Sequence, residues 1–277
     1  MILRLKGGLG NQLFQYAAMR ALSLRLGLEL KLDIDTGFAN DPYHRSYRLG
    51  AFCLPVDVAS PDEIERHRRA SLLLWRLRRW VERKLIDGRG IYYCPWLITG
   101  MRWQSYVEGY WQSDRYFAPA ADTLRKEIRP RPELRRACSF ASGVGSHRPV
   151  VVVHARRLDH HPSVCPTEYY RRAYEHIVCR HPDARWYAFG DDYDWIENVL
   201  AKIVPCTPVR RLGPDADIEE FCLMSTSDHF VIANSTFSWW AAWLGSTTTS
   251  IVVAPRNGWC RSGRHAHGLL PRHWVTL

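Results

Sequence analysis

Two hydrophobic periods alternate along this chain, and together they predict its elements. ILRLK (2–6) is a short apolar run that predicts a strand, and GGLGNQ (7–12) is a glycine-rich turn. LFQYAAMRALSLRLG (13–27) repeats apolar residues every three to four positions and stops at Gly27, which predicts a helix. ELKLDI (29–34) predicts a second strand, so the chain opens on the strand–turn–helix–strand order of an α/β protein. Residues 61–86 predict a helix and YVEGYWQ (106–112) a strand. In the second half PVVVVH (149–154), RWYAFGD (185–191), HFVIA (229–233) and TSIVVAP (249–255) predict strands. Helices are predicted between them at 167–181, 194–203, 217–225 and 235–245. Continuous apolar strands separated by amphipathic helices indicate parallel sheet covered on both faces. Residues 129–149 are rich in Pro, Gly and Ser and predict a domain boundary. The expected fold class is α/β, with two Rossmann-like domains, 1–140 and 141–277, facing a cleft.

Composition narrows the class of protein. With 277 residues, 46% hydrophobic and 24% charged, the chain can bury a large core, which excludes intrinsic disorder and a disulfide-stapled miniature fold. No run is apolar enough over about 20 residues to span a bilayer. The start, MILRLKGGLGNQ, lacks the ordered parts of a signal peptide. Eight Cys are scattered without a CxxC pair, as expected of small buried hydrophobes in a reduced cytoplasmic protein. The net charge is +10, and 33 of the 38 basic residues are Arg. That charge fits a nucleic acid, an anionic membrane surface or a phosphorylated small molecule without choosing among them.

Four segments carry candidate chemistry. Gly7 to Gln12 joins a strand to a helix, where glycines allow close approach and a helix N-terminus attracts anions. Leu13 stands where a dinucleotide fingerprint needs its third Gly, and the ending of a P-loop is missing, so a structural turn is the competing reading. His154-Ala155-Arg156-Arg157-Leu158-Asp159 follows an apolar strand, and ligands of open α/β sheets bind beyond strand C-termini. Two adjacent Arg there suit a diphosphate, against the alternative of a surface pair in an Arg-rich chain. Asp191-Asp192-Tyr193-Asp194 fits a metal motif, a nucleoside contact or a helix cap. Asn234 to Trp240 joins a strand to a helix whose first hydroxyls and N–H groups suit phosphate, while Trp239, Trp240 and Trp243 read as core.

In their order, GGLGNQLFQYA (7–17), GYWQSDRYF (109–117), HARRLD (154–159), FGDD (189–192) and NSTFSWWAAWL (234–244) resemble the bacterial α-1,2-fucosyltransferases of glycosyltransferase family 11. The resemblance runs from residue 1 to about 255 and implies a GT-B fold. It implies an inverting transfer of L-fucose from GDP-fucose, as donor substrate, to a glycan hydroxyl such as galactose O2. No metal and no cofactor are implied. By the same resemblance the N-terminal domain faces the acceptor and the C-terminal domain binds the GDP-sugar. Arg157 binds the diphosphate, with Arg156 and His154 shaping that strand end. Gly10 and Asn11 lie near the diphosphate, Ser235, Thr236 and Phe237 hold the phosphates, and Asp192 is near the guanosine. Asp159 is the nearest motif carboxylate to act as base. The chain departs from the family's HxRRGDY at Leu158 and His160, beside the acceptor.

The charge itself is concentrated. Residues 66–84, RHRRASLLLWRLRRWVERK, hold eight Lys+Arg and one Glu. A basic amphipathic helix of this kind suits the inner face of an anionic membrane, and equally a solvated face over an apolar contact. Competing functional classes are another nucleotide-sugar transferase, a metal enzyme using Asp192 and Asp194 or Asp159-His160-His161, and a nucleic-acid module. The last has charge alone in its favour, without a recognisable binding motif.

Overall fold

The computed structural model describes residues 1–98, 106–135, 148–158, 164–259 and 266–277, and of 71–79, 87–88 and 97 the backbone alone. Two compact units emerge, Met1–Arg129 with Ala266–Pro271, and Pro130–His265 with Arg272–Leu277. The C-terminal stretch is thus shared between them.

The first unit contains β1 (Ile2–Arg4), α1 (Leu9–Leu26), β2 (Lys31–Asp33), β3 (Asp57–Val58), α2 (Pro61–Arg89), β4 (Tyr106–Val107) and α3 (Ala121–Glu127). Its sheet runs β3-β2-β1-β4, every pair parallel. Helix α1 begins four residues earlier than the hydrophobic period predicts. Gly7 takes φ +76, so the chain turns within Gly7–Gly8 and the helix starts at once. The expected turn at 7–12 is therefore mostly helix. Leu13, Phe14, Ala17, Ala18 and Met19 of α1 are fully buried, and Gly27 ends the helix in the left-handed region. Helix α2 starts where Pro61 and a capping box between Ser60 and Glu63 permit it. The strand predicted over 106–112 stops after Val107, because the chain bends at Gly109 to Trp111, where Trp111 has φ +43.

The second unit contains α4 (Pro132–Arg135), β5 (Val150–Ala155), α5 (Thr167–Val178), β6 (Arg185–Gly190), α6 (Tyr193–Asn198), β7 (Thr207–Pro208), α7 (Ala216–Met224), β8 (His229–Val231), α8 (Thr236–Gly245), β9 (Val252–Ala254) and β10 (Val275–Thr276). Its parallel sheet runs β10-β9-β8-β5-β6-β7. All six residues of β5 are buried, as a strand covered on both faces requires. The helix predicted at 194–203 is split into α6 and a 3₁₀ turn, Leu200–Lys202. Each unit is a Rossmann-like α/β layer, as the sequence predicts. Strand order reverses between β1 and β4 in one unit and between β5 and β8 in the other. Beyond the C-terminal ends of strands at such a reversal lies the usual crevice for ligands in open α/β sheets.

Candidate functional site

In the second unit, three of the predicted segments converge on that reversal. Strand β5 ends at Ala155, so Arg156 and Arg157 leave the sheet at its C-terminal edge. Beside it, β8 leads through Asn234 and Ser235 into α8. Arg156 Nη1 donates to Ser235 Oγ at 3.3 Å, which joins the two strand ends. Ser235 is the N-cap of α8, yet its side chain makes no capping bond and no acidic residue lies in the first turn. The positive end of α8 therefore adds to the Arg charge. Thr236 and Phe237 form the first residues of that helix, both half-buried.

His154 lies beneath this cluster. Its ring is buried, lies tilted 5.7 Å from the Phe237 ring, and its Nδ1 has no hydrogen-bond partner among the described residues. Burial, and then the Arg156 charge, lower its pKa to about 3, so the imidazole is neutral at pH 7. A neutral ring can still donate one N–H to an anion. Asn234 is held below by Gly258 O, which accepts from its Nδ2 at 2.8 Å.

Asp191 belongs to the candidate segment after β6, where the resemblance assigns a role to Asp192 alone. Its carboxylate accepts from the backbone N–H of Arg157 at 2.7 Å and of Leu158 at 3.2 Å. It thus ties the loop after β5 to the end of β6. The two strands approach so closely there that a Cβ on Gly190 would run into the Ala155 carbonyl. The signal was the position of Asp191 directly after an apolar strand. Asp192 caps α6, accepting from Trp195 N–H at 3.0 Å, which is the capping alternative for this segment. Its other oxygen lies 3.9 Å from Arg157 Nε. The Arg157 guanidinium lies over the Trp195 ring, 4.0 Å from its centroid, so its plane is set by packing. Among the described residues no three His, Cys, Asp or Glu side chains come together. Asp159, His160 and His161 lie outside the described residues. Trp239 and Trp240 are fully buried and pack on one another, on Trp243 and on Trp274, which makes them core.

In the first unit the glycine turn forms its own small site. Gly10 is buried in the first turn of α1, and Asn11 stands beside it, half-buried. Gln112 Nε2 donates to Asn11 Oδ1 at 2.7 Å, across the reversal between β1 and β4. A Cβ on Gly7 would sit 2.9 Å from Asn11 Nδ2, so glycine leaves space over the turn. Gln12 donates to Gly7 O and Ser46 O, and Gln15 holds both backbone groups of Lys6. Sequence gave no signal for the Gln112 contact, because its partner is about a hundred residues away.

A family model for glycosyl transferase family 11 matches residues 54–276. An α-1,2-colitosyltransferase from Escherichia coli is 28% identical over 100% of this chain and 98% of its own length. The O-antigen biosynthesis glycosyltransferase WbnK, also from Escherichia coli, is 27% identical over 99% of both. Among solved structures, NodZ α-1,6-fucosyltransferase from Bradyrhizobium, soaked with GDP-fucose, aligns with a TM-score of 0.51 at 15% identity. That alignment covers 88% of this chain and 91% of NodZ, a likeness of fold, which is GT-B. The chain belongs to glycosyl transferase family 11, and it is a glycosyltransferase.

Proposed function

We propose that this enzyme transfers L-fucose from GDP-fucose to a hydroxyl of a galactose-containing glycan, at galactose O2, with inversion and without a metal ion. The observation that carries the reading is the strand-end cluster, in which Arg156 meets Ser235 Oγ at the acid-free start of α8. A diphosphate is the ligand chemistry this cluster suits best. The solved fold relative soaked with GDP-fucose supports the donor by analogy.

In this reading the C1–O bond to the diphosphate breaks as the acceptor hydroxyl attacks the opposite face of C1. Negative charge grows on the departing GDP. Arg156, Arg157, the Ser235 and Thr236 hydroxyls and the N–H groups of α8 stabilise it, being already aligned. Phe237 and His154 pack beside these groups, Asp192 is assigned to the nucleoside, and Gly10 and Asn11 of the glycine turn are assigned to substrate contact. The acceptor proton passes to Asp159, the carboxylate of the same motif.

A second reading has a specific observation behind it, because one full-length relative is named as a colitosyltransferase. Colitose then replaces fucose, with the same diphosphate chemistry. The test is release of GDP or UDP by the purified protein from GDP-fucose, GDP-colitose, GDP-mannose and UDP-sugars, in EDTA, with NMR of the product. GDP-fucose turnover and an α-1,2 product are expected. Preference for GDP-colitose selects the second reading, and a UDP-sugar or a strict metal requirement overturns both.

For localisation, we assign the enzyme to the cytoplasmic side, where α2 contacts the inner membrane face. Arg66, Arg68, Arg69, Arg83 and Lys84 of this helix are exposed, and Trp80 is 56% exposed. No helix among the described residues is long and apolar enough to cross a membrane.

A further inference from the structure

Residues 66–84 hold eight basic residues and a single acid, Glu82. Surface charge does not explain that acid, because Glu82 is buried, unlike Arg83 and Lys84 beside it. Its Oε1 accepts from Tyr110 N–H at 2.7 Å, and the Trp111 N–H also bonds the carboxyl, while burial raises its pKa above the ordinary value. These two N–H groups belong to the bend that ends β4. Trp111 there has φ +43, a region that a bulky side chain rarely adopts, and its ring is buried. Gly109 leaves no space to relax the bend. A Cβ on it would meet Trp111 Cζ2 at 2.6 Å and Glu82 Oε2 at 2.8 Å.

The residue after the bend is Gln112, which donates to Asn11 Oδ1. That bond fixes which way the Asn11 carboxamide faces, with Nδ2 toward Gly7. A continuous path therefore runs from α2 through the bend to the glycine turn. Neighbouring charges are otherwise occupied. Glu108 bridges Arg4 at 2.7 Å and Lys6 at 2.6 Å, and Lys6 lies over the Tyr110 ring.

We infer that Glu82 is a positioning residue for sugar transfer. It holds the bend at Tyr110 and left-handed Trp111, so that Gln112 orients Asn11 at the start of α1. The inference rests on the role given to Asn11 above, and the test separates the two. Glu82→Gln keeps size and one acceptor oxygen but sets an NH₂ group against a backbone N–H. GDP release from GDP-fucose is measured for the full chain, for E82Q, for N11A and for the double variant, with thermal melts for folding.

Misplacement of a substrate-orienting group costs tenfold or more, so E82Q and N11A should each lower kcat by about tenfold. The double variant should be no slower than N11A, because the two changes act on one contact. A merely structural Glu82 would slow both backgrounds by the same factor, and that result overturns the inference, as does an E82Q enzyme at full rate. Full activity of N11A instead contradicts the Asn11 role and removes the inference with it. If E82Q does not fold, Gln112→Ala leaves the buried carboxylate in place and carries the same expectation. Additive loss in Q112A with N11A overturns it equally.

Discussion

At the residue scale, adjacent arginines occupy different environments. Arg156 reaches across to Ser235, whereas Arg157 is stacked on Trp195 with its backbone held by Asp191. Removing one preorganised donor to a developing anion commonly costs about 10²–10³ in rate. Arg157→Ala should therefore lose transfer by about that factor while circular dichroism and melting stay unchanged. Near-native activity would remove Arg157 from the diphosphate. His154 makes a separate prediction through pH. Its folded pKa of about 3 lies below the ordinary 6.5, because burial and Arg156 disfavour the cation. Its contribution to stability is complete above about 6.5 and is lost as pH falls from there toward 3. Wild type should lose more stability between pH 7.5 and 5 than His154→Gln, by urea denaturation. Equal losses would mean that His154 is not held neutral by the fold.

At the element scale, the tryptophans of α8 test where the core lies. Trp239 is fully buried among Trp240, Trp243 and Trp274. Trp239→Ala should cost roughly 3–5 kcal/mol, read from the urea midpoint. Unchanged stability would return these rings to a binding role. Elements with long apolar runs were legible from sequence. Strand β5, α5, β6 and α8 match their predicted runs closely, because the hydrophobic period and tertiary burial agree there. Two-residue strands β3, β7 and β10 were not, since two residues cannot express a period. The early start of α1 depends on the backbone angle of Gly7, which periodicity does not encode. The candidate site was legible where chemistry follows an apolar strand, at His154 to Arg157 and Ser235. Asp191 is marked only by its place after an apolar strand, and Gln112 acts through a long-range contact, which leaves no local pattern.

At the scale of the whole molecule, the net charge of +10 divides by position. Much of it lines α2, and a small part sits at the end of β5. The α2 charge predicts sedimentation of the protein with vesicles containing anionic lipid at low salt, and release as salt screens the contact. No sedimentation at low salt would leave α2 as a solvated helix. The β5 arginines concern catalysis, and the central claim is that they and α8 hold a diphosphate without a metal. Calorimetric titration of the purified enzyme in EDTA tests it most directly, comparing GDP with guanosine for wild type, Arg156→Ala and Arg157→Ala. Charge-assisted hydrogen bonds of about 1.5–3 kcal/mol each predict GDP binding at least tenfold tighter than guanosine, with the difference reduced in both variants. Equal affinity for GDP and guanosine, or GDP binding that needs a divalent ion, would contradict the account.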